Sequence, residues 1–199
     1  MIHMITREQL ESTDIDKPDA PQSGRYPSFY VSEFQASDGT HFTVRPICPD
    51  DEPLLADFHG GLSEETVYRR YFAPLRLDVR VAHQRLLQHC LIDYHNEIAL
   101  VATYLDESGE PHLAAVARLI RLAGSNSAEV AFVVADQHQH HGLGTYLLDR
   151  IIDIARKERI GTLEAVVLAD NFSMKDLFRR AGFKLQSPQT GDVTVRLEL

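Results

Sequence analysis

Along residues 41–47, HFTVRPI, apolar and polar positions alternate with the two-residue period of a strand that buries one face, and Pro46 marks its end. Helical spacing follows. Asp50 or Asp51 can cap a segment running to about His59, and Ser63 with Glu64 and Glu65 opens a second, LSEETVYRRYF, with both carboxylates in its favourable first turn. Asp78 can start a third, with Val81, Leu86 and Leu87 on its apolar side. After Tyr94 the runs EIALVATYLD, PHLAAVARLIRL and SAEVAFVVAD, separated by the turn-rich ESGE and AGSNS, read as a meander of strands. Leu143, Leu147, Leu148, Ile151, Ile154 and Ala155 then recur at three and four, as on a helix with one buried face, and Gly161 is placed as its stop. LEAVVLAD is a buried strand, NFSMKDLFRRAGF a short helix ended at Gly182, and VTVRLEL a final alternating strand.

This order predicts an α+β (mixed α/β) fold: a central, mostly antiparallel sheet with helices on both faces. One right-handed parallel crossover is expected, in the unit from Glu129 to Leu168. Residues 1–38 read as an N-terminal extension, polar and without a sustained period, and residues 39–199 as one domain. Tyr26, Phe29, Tyr30 and Phe34 are more aromatic surface than a free linker needs. The end of the extension is therefore expected to pack on the domain or on a second subunit, which leaves a homodimer possible.

Charge narrows the partners. Twenty Lys and Arg against 29 Asp and Glu give a net charge of −9, which argues against a general grip on nucleic acid or anionic lipid and suits a cationic acceptor. Cys48 and Cys90 form no CxxC and read as thiols in a reducing cytosol. The N-terminal residues lack the apolar run of a signal peptide, and no apolar stretch reaches the ~20 residues that span a bilayer, so a cytoplasmic protein is expected.

The long helix opens badly, in QHHGLGTYLL. Gly142 and Gly144 each weaken a helix by roughly 0.5–1 kcal/mol relative to alanine. The first carboxylate, Asp149, is two turns in, while Arg156, Lys157 and Arg159 crowd the far end. Four free N–H groups and about half a positive charge are left for an external anion, and glycines without a Cβ let a diphosphate approach the backbone. A Walker loop needs a lysine after its second glycine, where Thr145 stands, and a dinucleotide fingerprint needs a glycine at Leu147.

QHHGLG, ten residues beyond Glu129, resembles the QxxGxG acyl-CoA loop of the GNAT acetyltransferase superfamily, and DNFSMKDLFRRAGF resembles that family's downstream segment. TVRPICPDDEPLLADFHGGLSEETVYRRYF and LIDYHNEIALVA resemble the GNAT domain of bacterial protein lysine acetyltransferases. The resemblance implies that Gln139, His140, His141, Gly142, Leu143, Gly144 and Thr145 hold the diphosphate of acetyl-CoA. It further implies that Val133 and Val134 offer main-chain groups to the pantetheine arm, that Asn171 lies near the cofactor and that Glu129 is the general base. Many members carry a tyrosine at Phe178 as general acid; Phe178 lacks the hydroxyl, which leaves it a cofactor neighbour at most. Lys175 reads more readily as a solvated lysine than as a phosphate ligand. His138, His140 and His141 have no carboxylate or thiol spaced to complete a metal site. Asp93 and Tyr94 could grip an acceptor or could equally be a turn residue and a packed ring, and Arg69 and Arg70 read as a solvated face beside a buried Tyr71. The implied activity is acetyl transfer to a primary amine, a protein lysine first. The alternatives are a small-molecule amine as acceptor, or a non-catalytic acyl-CoA-sensing module.

Overall fold

The computed structural model describes residues 26–186 and 192–199. Its first strands, β1 (Ser32–Gln35) and β2 (His41–Pro46), form a hairpin. Four helices follow: α1 (Glu52–Gly61), α2 (Glu64–Tyr71), α3 (Leu77–Arg80) and α4 (His83–Cys90). The expected meander is β3 (Glu97–Leu105), β4 (Pro111–Arg121) and β5 (Ser127–Val134). Then come α5 (Leu143–Lys157), β6 (Thr162–Leu168), α6 (Phe172–Arg180), β7 (Lys184–Leu185) and β8 (Asp192–Glu198). Among the described residues the strands make one eight-stranded sheet in the order β1-β2-β3-β4-β5-β6-β8-β7, with β5 and β6 as its single parallel pair.

Apolar side chains alternate onto both faces of the sheet, and helices cover each. On one side α5 and α6 pack Leu147, Ile151 and Phe178 against Phe42, Leu119 and Val130. On the other, Leu55, Val67 and Leu86 from α1, α2 and α4 meet Val101, Val116 and Val133. Leu143, Leu147, Leu148, Ile151, Ile152, Ile154 and Ala155 of α5 are all buried. At ~1.5–3 kcal/mol for each large aliphatic side chain removed from water, that face outweighs the helical cost of its glycines. Among the described residues no helix is long and apolar enough to cross a membrane.

Three local features differ from the sequence reading. The helix expected from Asp78 is two, because Ala82 is extended (ψ 126°) and divides α3 from α4. The last turn of α5 is ended by Arg159, at φ 57°, rather than by Gly161. Gly161 sits close to the β4–β5 turn instead: a Cβ there would lie 2.8 Å from the Asn126 side-chain amide, which would have to move aside.

The sheet also begins before residue 39, since β1 belongs to the segment read as an extension. That segment runs outside α5 like a strap. Tyr30, buried to 1 % exposure, donates its hydroxyl to Glu158 at 2.7 Å near the end of α5, and burial pushes its phenol pKa up. Arg150 donates to the Tyr30 carbonyl at 3.3 Å, and Tyr146 to the Glu33 carbonyl at 3.2 Å. Phe34 stacks on Tyr146 with ring centroids 4.5 Å apart.

Candidate active site

The parallel pairing of β5 with β6 lasts for three registers, Ser127↔Thr162, Ala128↔Leu163 and Glu129↔Glu164. Beyond it β5 stays paired to β4 as far as Val134, and β6 to β8 as far as Leu168. The two strands therefore diverge inside the sheet, and past Glu129 the main chain of β5 has no ladder partner on β6. A cleft of about 660 Å³ opens there. Phe132, Val133 and Val134 line it from β5, Asn171, Met174 and Leu177 from the start of α6, and Thr66, Arg69 and Arg70 from α2.

The end of α5 closes the cleft. Gln139, His140, Gly142, Gly144 and Thr145 line it, with Gly142 as N-cap at φ 94°. No side chain caps this end and no acid stands in its first turn, whereas Arg156 and Lys157 occupy the last. His140 also takes a left-handed conformation, φ 65°. A Cβ on Gly144 would sit 3.8 Å from Phe132 and Leu177 and 3.9 Å from Val134, so the glycine keeps open volume that a ligand can fill. Free amides, a positive helix end and an open strand edge fit the diphosphate and amide arm of coenzyme A.

A hydrogen-bond network fixes the loop to α2. Asp136 accepts from the Ser63 N–H (2.9 Å), the Ser63 hydroxyl (2.6 Å) and the Thr66 hydroxyl (2.7 Å). Ser63 Oγ in turn caps α2 by accepting from the Thr66 N–H at 3.2 Å. Gln139 Nε2 donates to the Val134 carbonyl (3.0 Å) and to Thr66 Oγ1 (3.2 Å). Burial would raise the Asp136 carboxyl, but the bonds from Ser63 and Thr66 outweigh it and hold the group below its usual range. On the far side the loop rests on the β1–β2 turn, where the Ser37 N–H donates to the His141 carbonyl at 3.1 Å.

Glu129 is half-buried at the apex of the fork, on the sheet face that α2 covers. Burial pushes its carboxyl up, Arg70 opposes this, and Glu164 adds to it. Arg70 is half-buried and lines the cleft, with its guanidinium 5.1 Å from the Tyr71 ring centroid, so it does not lie on the solvated face expected for it.

Of the residues read from the sequence, Val133, Val134, Gln139, His140, Gly142, Gly144, Thr145 and Asn171 come together around the cleft, and Glu129 stands at its apex rather than on its lining. Leu143 is fully buried, so only its main chain can serve. His141 faces Asp38 across 3.6 Å, outside the lining. Phe178 departs furthest from the expectation: its ring is 2 % exposed between Phe132 and Phe183, at 5.8 and 4.8 Å, and it is not among the residues that line the cleft. Asn171 Oδ1 also caps α6 by accepting from the Met174 N–H at 3.2 Å. Lys175 Nζ sits 4.2 Å from the Phe172 centroid and donates to the Ala169 carbonyl. His138 packs edge-on against Phe42 and Tyr104, and Tyr94 donates to the Ile47 carbonyl at 2.7 Å. Among the described residues, no group of three or more His, Cys, Asp or Glu is arranged to hold a metal ion. Thr66 and Asp136 escaped the sequence reading, and Arg70 was read as a solvated residue. The one available signal was the helix cap Ser63 three residues before Thr66, and it does not reveal what lies across the cleft.

Comparison with known proteins agrees with the fold. Residues 65–183 match the acetyltransferase (GNAT) family. The acetyltransferase PA5475 of Pseudomonas aeruginosa is 30 % identical over 147 residues, 73 % of this chain and 76 % of that protein. The acetyltransferase Pat of Mycolicibacterium smegmatis is 33 % identical over 150 residues, 74 % of this chain but 43 % of the longer relative. Among solved structures, the GNAT domain of S. lividans PAT superposes with a TM-score of 0.78 at 30 % identity, over 88 % of this chain and all of that one.

Proposed function

The chain belongs to the GNAT acetyltransferase family, and on that premise we propose that it transfers the acetyl group of acetyl-CoA to the side-chain amine of a protein lysine. Acetyl-CoA-dependent acyl transfer is the activity common to the family. The protein acceptor is supported by the likeness to Pat and to the PAT domain, which extends over most of this chain. The observation that carries the reading is the fork itself, which sets an uncapped helix end along one edge of the cleft and a desolvated carboxylate at its apex.

Each part has a task. The amides around Gly142 to Thr145 would hold the diphosphate, and the free edge of β5 at Val133 and Val134 would take the amide arm. Bound acetyl-CoA supplies an activated acyl carbon. A lysine of pKa ~10.4 must lose its proton first, which costs about 4 kcal/mol near pH 7.4. Glu129, its carboxyl raised toward the amine by burial, is the group that would accept that proton, directly or through a water. With Phe178 in the core, no side-chain acid is assigned to the departing thiolate, which is a good leaving group without one.

The test is incubation with acetyl-CoA and a lysate of the host, followed by mass spectrometry for acetyl-lysine. Glu129→Gln should lower kcat by about 10²–10⁴ while coenzyme A still binds. Because burial raises this carboxyl, the wild-type rate should fall on acidification through a pKa above the ordinary carboxylate value, and the variant should lack that limb. Unchanged turnover by Glu129→Gln would remove Glu129 from the mechanism. Release of thiol with small amines alone would move the acceptor from protein to metabolite.

A further inference from the structure

Among the helices on the sheet face that α2 covers, α2, α3 and α4 bring together three arginines, and among the described residues no carboxylate forms an ion pair with any of them. Arg70 and Arg85 share one ring, their Cζ atoms 5.1 and 5.6 Å from the Tyr71 centroid. Arg80 is 7 % exposed and donates from Nη1 to the His59 carbonyl at 2.6 Å. Its Nε, and that of Arg85, are buried without a hydrogen-bond partner. Among the described residues, none of the three lies within 4.0 Å of an Asp or Glu oxygen. The contrast is Arg118, 8 % exposed, which pairs with Glu97 and donates to the His89 carbonyl at 2.7 Å.

His59 does not offset the charge. It is 4 % exposed, its Nδ1 has no partner, and burial together with Arg80, Arg85 and Arg70 keeps it neutral, with its pKa lowered to about 4. The carboxylate that acts on Arg70 through space is Glu129. A chain of net charge −9 thus holds a concentration of partly buried positive charge near the apex of its cleft.

Buried cations left unpaired are strongly unfavourable, and buried N–H groups without acceptors add to that cost. An anion that joins them relieves both. The position tells which molecule brings it: α2 runs from Thr66, tied to the diphosphate loop, to Arg70 beside Glu129, so Arg70, which lines the cleft, stands at its acceptor end, while Arg85, on the same Tyr71 ring, and Arg80 lie outside the lining. We propose that Arg70, its positive field reinforced by Arg80 and Arg85, forms an acceptor subsite for a carboxylate carried next to the reacting amine, selecting lysines flanked by Asp or Glu. This rests on the lysine reading above. The arrangement also disfavours an ammonium arriving in a basic context, and lowers the pKa of the amine that does enter.

The test uses the full chain with saturating acetyl-CoA and peptides whose lysine is flanked by two Glu, two Ala or two Lys. Free amino acids form a further arm, with the same carboxylate and amine but no chain. The acidic peptide should exceed the alanine peptide in kcat/KM by about tenfold or more, chiefly through KM. Arg85→Gln should lower that preference and Arg85→Lys keep most of it, with the KM for acetyl-CoA unchanged and the thermal midpoint of Arg85→Gln no lower than that of the wild type. Equal kcat/KM for the three peptides would overturn the subsite and leave the transferase reading intact. Acetylation confined to free amines would overturn the lysine reading, and the subsite with it if amines lacking a carboxylate react as well.

Discussion

Gly142 shows how much one residue decides. Its φ of 94° turns the main chain so that the following amides open into the cleft, and a Cβ would meet Phe34 Cζ at 3.4 Å. Gly142→Ala should therefore destabilise the fold by about 1–2 kcal/mol, the cost of left-handed backbone for an L-residue. It should also weaken coenzyme A binding, because relief of the strain turns those amides. Thermal melts and calorimetric titration separate the two effects. Gly144, without left-handed backbone, is different: its substitution fills cleft volume and should affect affinity more than stability. Phe178 makes the complementary point, since a position that looks like a missing acid is a packed core residue.

At the scale of elements, α2 is held by side chains that the sequence does not advertise. Asp136→Ala removes the acceptor for Ser63 and Thr66, so α2 and Gln139 lose their common anchor. The KM for acetyl-CoA should rise several-fold, as for loss of a side chain that orients binding groups from behind. The carboxyl is held below its usual range, so its contribution to stability is present above the ordinary carboxylate pKa and lost as pH falls through the lowered one; the variant should not show that acid-side loss in its melting temperature. What was legible follows from period. The buried stripe of α5 and the alternation in β2 and β8 repeat often enough to stand out, and so does the uncapped QHHGLG end. β1 did not, because SEFQ on a sheet edge buries no position fully. Neither the close approach of Asn126 to Gly161 nor the meeting of Arg70, Arg80 and Arg85 from three helices has a local signature, since each depends on which segments the fold brings together.

The whole molecule places its binding groups on rigid parts. The sheet supplies the fork, α5 supplies the anion site at its N-terminal end, and the segment from Tyr30 to Phe34 is bonded and stacked along that helix. The fork has a cost that concerns solubility more than catalysis. Two strands that part company in mid-sheet expose interior edges, and an exposed edge is a template on which another chain can build. Coenzyme A would shield that edge as well as serve the reaction. At a hundred times its dissociation constant it should add about 2.7 kcal/mol to stability, and heated samples should turn turbid at a higher temperature with it than without. Cells short of the cofactor would then lose this enzyme by clumping, so its abundance would follow acyl-CoA supply with no dedicated regulator.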